Sequence, residues 1–267
     1  MRSELTKMLF QKRTYIGWLA LLAIPALTAV SLNFGDHGND GDNGTWDVVF
    51  RLAHDNGLLL PIATVILASF FLPIVAAMAG GFQLAGEVES STLRTWLAHP
   101  VNRGSVMLSK WFTAALYILA GLAIALLAGY AIGIPFFGAG RISLLSGETV
   151  SVARGLELTL LAYVYVGLSM VTVVAVAMLI STLANSSLTA AVGALVIVIV
   201  MQIVGQLSYF DSIWPYLFTS HFDAWQTFLQ GTIDWRSVWQ GVLAFAAYAG
   251  VSLVAAWRLF MRRDVLA

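Results

Sequence analysis

No cysteine occurs in the 267 residues, which excludes a disulfide framework, a thiolate metal site and a cysteine nucleophile. Charge is nearly as scarce. Only 10% of residues are Asp, Glu, Lys or Arg, against about 25% in an ordinary soluble domain. Hydrophobic residues make up 59% and mean hydropathy is +0.84, so a water-facing surface cannot be assembled and lipid is the main solvent. The formal net charge is zero, which gives no long-range pull on nucleic acid. His37, His54, His99 and His221 are scattered, so the sequence offers no His cluster or Ser/His arrangement of the kind a membrane-embedded enzyme needs. No GxxxxGK[ST] phosphate loop occurs anywhere, so the chain has no recognisable motif for hydrolysing a nucleotide.

What is present is a series of uncharged apolar runs at about 15–32, 58–82, 111–136, 158–183, 188–207 and 238–257, all free of Asp, Glu, Lys and Arg. A helix of roughly 20 such residues crosses the roughly 30 Å of bilayer hydrocarbon, which predicts an all-α integral membrane protein with six transmembrane helices. The chain reads as one transmembrane domain over 1–267. Six crossings put both termini on one side. On that side fall Arg2, Lys7, Lys12, Arg13, Arg94, Arg103, Lys110, Arg258, Arg262 and Arg263, and on the other only Arg51, Arg141, Arg154 and Arg236. The excess of Lys and Arg near span ends marks the cytoplasmic face, so both termini are expected inside. A basic flank before an apolar run is also how a signal peptide begins, but the first run is longer than a usual signal core and five more follow. Residues 5–15 mix apolar and basic positions and read either as an interfacial helix or as an ordinary orienting flank.

Within the second run Pro61 and Pro73 each remove a backbone donor and are expected to bend the helix. Gly129 and Gly133 in the third have the spacing that lets two helices approach closely. The run GDHGNDGDNG is acidic but fails the spacing of a calcium loop, and reads as a solvated linker. Between the fifth and sixth runs ten aromatics from Tyr209 to Trp239 alternate with Asp211, Asp223 and Asp234, predicting a partly helical outer segment at headgroup depth or an aromatic substrate exit. An ion-driven transporter normally needs ionisable residues inside its spans, and these spans have none. Polarity there is limited to groups such as Gln202, Gln206, Tyr163 and Tyr165, which are the candidate pathway residues, although lone Gln residues commonly glue helices together.

The most specific stretch is 83–110, QLAGEVESSTLRTWLAHPVNRGSVMLSK. It predicts a short helix over 87–98 lying along the membrane, stopped at Pro100 and followed by a turn at Asn102-Arg103-Gly104. Glu89, Thr92 and Leu93, then Pro100, Val101, Arg103 and Lys110, are similar to the motif of the type-2 permease family of ATP-binding-cassette exporters, with Ser91 where that family has Gly. The likeness continues through STLANSSL at 181–188 and WRLFMRRD at 257–264, covering nearly the whole chain. The resemblance implies a permease of the plasma (inner) membrane of a prokaryote, working as a pair with a second permease copy or sister chain and two copies of a separate ATPase subunit. ATP and Mg would bind to that ATPase, and no cofactor to this chain. Segment 87–98 would be the coupling helix, docking through Glu87, Glu89, Thr92, Leu93, Arg94, Trp96 and Leu97. Independently of the family, an amphipathic helix bearing Leu93, Trp96 and Leu97 beside Glu89 and Arg94 suits a groove on a partner. The spans and aromatic segment favour a hydrophobic or amphipathic cargo. A membrane enzyme and a non-transporting assembly or sensor protein of the same fold are the alternatives.

Overall fold

A computed structural model describes residues 12–34, 45–89, 103–144, 146–210 and 212–262. Among the described residues the protein is all-helical apart from one two-stranded hairpin. In order, α1 is Lys12–Phe34, α2 Thr45–Asp55, α3 Leu60–Ala68, α4 Phe71–Gly81, α5 Ala85–Glu89, α6 Arg103–Phe137, α7 Val152–Leu183, α8 Ser187–Gln206 and α9 Trp235–Arg262. The strands β1 (Ile142–Ser143) and β2 (Thr149–Val150) pair antiparallel between α6 and α7, with Ile142 opposite Val150.

Five helices, α1, α6, α7, α8 and α9, are individually long and apolar enough to cross a bilayer. The sixth crossing is made by α3 and α4 together, which meet at 65°. Contacts at their ends show that this pair traverses the bundle. The amide of Gly57 donates to the carbonyl of Gly138 at the last turn of α6 (3.1 Å), whereas the carbonyl of Gly81 accepts from the Ser181 hydroxyl near the end of α7 (2.6 Å). Because α6 and α7 are antiparallel neighbours joined by the hairpin, these two contacts lie at opposite ends of the bundle.

The bend has a local cause. Pro73 has no amide hydrogen to give the carbonyl of Ser69 four residues back, and its ring crowds that carbonyl. The helix therefore opens at Ser69 and Phe70, and the Ser69 hydroxyl bonds back to the carbonyl of Val65 (2.8 Å), a contact that itself favours bending. Pro61 behaves differently from expectation. It stands in the first turn of α3, where the missing amide would have had no intrahelical partner, so it starts a helix instead of kinking one.

Helix α7 is the centre of the bundle, with 72% of its span buried against 17–33% for the other four long spans. Its Val173, Val174, Ala175, Ala177 and Met178 are fully enclosed. Small residues let the neighbours come in: a Cβ added at Gly81 on α4 would lie 2.7 Å from the amide nitrogen of Ala191 on α8. Gly129 and Gly133 serve the close approach their spacing predicts, Gly129 against Pro61 and Gly133 against the backbone of Gly57.

At the hairpin end Asn56 ties three segments together. Its amide group donates to the carbonyls of Gly140 (3.2 Å) and Arg141 (3.0 Å), and its side-chain oxygen accepts from the amide of Leu58 (3.1 Å). Here too lies the aromatic segment, folded as three 3₁₀ stretches, Ser208–Phe210, Trp214–Tyr216 and Phe218–Leu229. Its aromatics divide into two sets. Phe218, Trp225 and Phe228 are core residues packed towards α7 and α9, whereas Tyr209 (90% exposed), Tyr216 and Trp214 face outward at the position expected of headgroup-level rings. The acidic run GDHGNDGDNG lies outside the described residues.

Candidate functional site at the base of the 83–110 loop

At the end opposite the hairpin, the chain leaves α4 and turns through residues 82–84 into α5, towards the segment that the sequence marks as a docking helix. Glu87 and Glu89 fall on α5. Thr92, Leu93, Arg94, Trp96 and Leu97 lie outside the described residues, as do Pro100 and Val101. The structure therefore defines the base of the candidate helix.

That base is fastened to three spans. The Ser181 hydroxyl, on the last turns of α7, donates to the carbonyl of Gly81 and accepts from the amides of Leu84 (3.2 Å) and Ala85 (2.9 Å). These two amides precede or open a helix and have no intrahelical acceptor, so the hydroxyl supplies the partner that burial demands. The Lys110 ammonium on α6 donates to the Glu87 carboxylate at 2.6 Å, and both residues are nearly sealed from solvent, at 2% and 5% exposure. Glu89 accepts from both the backbone amide (3.0 Å) and the hydroxyl (2.6 Å) of Ser187. Ser187 begins α8, so Glu89 places a negative charge at the N-terminus of that helix, where the aligned peptide dipoles favour it.

An apolar floor lies beneath these polar contacts. Leu84, Met107, Met178, Ala256 and Phe260 form a separate buried cluster drawn from the turn after α4, α6, α7 and α9, with Val88 and Trp111 packed on it. The indole N–H of Trp111, next to Lys110, is buried without a hydrogen-bond partner among the described residues. Taking a carboxylate and an ammonium out of water carries a large desolvation penalty, which their attraction offsets only with good geometry. The short, charge-assisted contact between Glu87 and Lys110 meets that condition.

The expected pathway residues are not brought together. Tyr163 donates its hydroxyl to the carbonyl of Pro61 (2.9 Å) and Tyr165 to that of His221 (2.9 Å), so the two rings serve different faces of α7. Both are buried, and each hydroxyl satisfies a backbone carbonyl instead of facing an open channel. Gln202 is half-buried and Gln206 exposed on α8, along with Val196, Val200 and Ile203. The cavity that Tyr163 lines with Thr64, Ala68 and Leu72 offers about 10 Å³ of water-accessible space, as does the one between Val49, Leu59 and Leu229. Either is near the minimum for a single water.

Lys110, Ser181 and Ser187 are positions of the candidate site whose contacts sequence reading misses. Lys110 is visible there as part of a motif, and Ser181 and Ser187 as ends of the STLANSSL turn, but their partners lie 23 to 100 residues away. Among the described residues no group of three or more His, Asp or Glu side chains is placed to hold a metal ion.

Comparison with known proteins gives one family. A family model described as ABC-2 family transporter protein matches residues 4–265. A search of curated proteins finds no match.

Proposed function

The chain belongs to the ABC-2 family of transporter proteins, and from that membership we propose that it is the membrane subunit of an ATP-driven exporter whose motor is a separate polypeptide. Two copies of this chain, or one copy and a sister chain, pair with two ATPase subunits that bind the ATP and Mg. The 83–110 loop faces the cytoplasm and docks on the ATPase through Thr92, Leu93, Arg94, Trp96 and Leu97, with Glu87 and Glu89 at its base. The cargo is hydrophobic or amphipathic, in keeping with uncharged spans and an aromatic shelf at the opposite end.

The observation that carries this reading is the family match over nearly the whole chain, joined to a sequence that has no phosphate loop. A permease of this family without a hydrolytic motif needs a motor from outside.

The test is co-purification of the chain with its ATPase, comparing Trp96→Ala with Arg94→Glu. Truncating a buried aromatic anchor costs about 2 kcal/mol or more of binding, roughly 30-fold in affinity, whereas a rim charge changes association less. Trp96→Ala is expected to lose the ATPase and Arg94→Glu to retain part of it. Saturable ATP hydrolysis by the isolated chain, or undiminished ATPase capture by Trp96→Ala, would contradict the proposal.

A further inference from the structure

The five described residues of α5 are held by side chains of three spans. Their position is set by what grips them: Ser181 of α7 at the start, Lys110 of α6 in the middle and Ser187 of α8 at the end. Helices α7 and α8 are joined by only three residues, 184–186, so Ser181 and Ser187 flank one tight turn. The floor of Leu84, Met107, Met178, Ala256 and Phe260 adds α9 to the same junction.

We propose that these contacts form a clasp, in which Lys110, Ser181 and Ser187 are positioning residues that carry displacement of α5 into the ends of α6, α7 and α8 together. The inference rests on the reading of this chain as an ATPase-coupled permease and assigns the transmission step within it. A buried ion pair of 2.6 Å and a hydroxyl engaged in three hydrogen bonds resist stretching far more than apolar contacts, which slide. With water excluded, attraction between Glu87 and Lys110 is screened little, so pulling on α5 pulls on α6. Glu89 meanwhile holds the first residue of α8, and any rotation of α5 is felt at the start of that span. Chains of hydrogen bonds and ion pairs between rigid elements are one physical means of carrying such coupling.

The absence of native cysteine allows spin labels at chosen positions only. Labels at Leu108 on α6 and Leu188 on α8, both largely exposed side chains beside the clasp, report its opening. The distance between them is measured in the full complex with the ATPase, in lipid nanodiscs, with and without a non-hydrolysable ATP analogue. The otherwise native complex is expected to change distance on nucleotide binding. Lys110→Met and Ser181→Ala are expected to keep the ATPase bound but lose that change, and the swap Lys110→Glu with Glu87→Lys to regain it. Should Lys110→Met fail to assemble, Ser181→Ala and the swap decide the matter. A role in folding alone would lower membrane yield and leave the change per assembled complex intact, and that result would overturn the clasp. If the native complex shows no change, the ATP-driven reading fails and takes the clasp with it, an outcome distinct from loss of the clasp alone.

Discussion

Replacing Gly133 by Ala tests whether the crossing of α3 and α6 depends on backbone touching backbone. A Cβ built at this position falls on the carbonyl oxygen of Gly57, well inside contact distance, and 3.0 Å from the Cβ of Leu60. The obstructing atom is backbone, and its neighbour Gly57 N–H is bonded to the carbonyl of Gly138, so neither side can turn away as a flexible side chain would. Overpacking costs about 1–3 kcal/mol, and a fixed backbone obstacle puts this case near 3. Ala gains back about 1 kcal/mol over Gly in a helix interior. The net loss is therefore about 2 kcal/mol, a factor of about 30 in the folded-to-unfolded ratio. Two internal controls grade the effect. At Gly129 a Cβ would meet the Pro61 ring at 3.0 Å and the Pro61 Cα at 3.1 Å, contacts that need give by only a few tenths of an ångström, so Gly129→Ala should cost less than Gly133→Ala. At Gly250 nothing lies within 4 Å, so Gly250→Ala should be neutral or stabilising. The assay is thermal unfolding in one detergent followed by Trp fluorescence, with the midpoint for Gly133→Ala lowest of the three. Equal midpoints for Gly133→Ala and Gly250→Ala would refute the argument.

Tyr163→Phe and Tyr165→Phe each remove one buried hydrogen bond to a backbone carbonyl and should each cost about 1 kcal/mol of stability, measured by the same unfolding assay; an unchanged midpoint would mean the bonds contribute nothing. Asp234 at the start of α9 accepts from the Ser237 hydroxyl and amide, which holds its carboxyl below the usual carboxylate value. A carboxyl lowered on folding stabilises fully above its ordinary value, about 3.9, and loses that contribution as pH falls through the folded value. Acid unfolding of the unmodified chain should therefore be steeper below about pH 4 than that of Asp234→Asn, and parallel curves would remove Asp234 from the account. Pro73→Ala with Ser69→Ala restores the donor to the opened turn, so spin labels at Leu67 and Met78 should move apart as α3 and α4 straighten; an unchanged distance would assign the 65° bend to packing. Cysteine at Thr232 should react with an impermeant external thiol reagent in sealed cells and cysteine at Asn185 should not, both positions being exposed at opposite ends of the bundle. Labelling at 185 would reverse the orientation.

The six crossings were legible because hydrophobicity over 20 residues is a long-range average that neighbours cannot disguise. Where reading depended on single residues it succeeded only when the cause was local. Pro73 bends its helix because the carbonyl it disappoints is four residues back in the same chain. Pro61 has the same chemistry but a different outcome, since the 3₁₀ turn Gly57–Leu59 makes it the start of a helix, and that turn is held by Asn56 reaching 84 and 85 residues ahead. The aromatic segment was half legible for the same reason. Composition marks interfacial rings such as Tyr209 and Tyr216, but whether Phe218 and Trp225 face lipid or core depends on where α7 and α9 pass.

The site shows the limit more sharply, because its chemistry lies in pairings and not in residue types. Glu87 and Glu89 read as two charges of a surface helix. In the fold they are spent inward, one on an ammonium 23 residues later and one on a helix start 98 residues later. A charge count could have raised the question: three lysines occur in the chain, and Lys110 sits directly against an uncharged run of 26 residues, where a lone ammonium would be costly. A lysine so placed needs a carboxylate, and Glu87 and Glu89 are the acids on the same side of the membrane at the near end of the same loop. Two carboxylates meet that need, and the helical phase of α5 decides between them. Glu87 points to α6 and Glu89, two residues on and about 200° around the helix, points elsewhere, to α8. Two carboxylates at that spacing cannot both serve Lys110, so the geometry that selects one ion pair also frees the second acid to hold the next span.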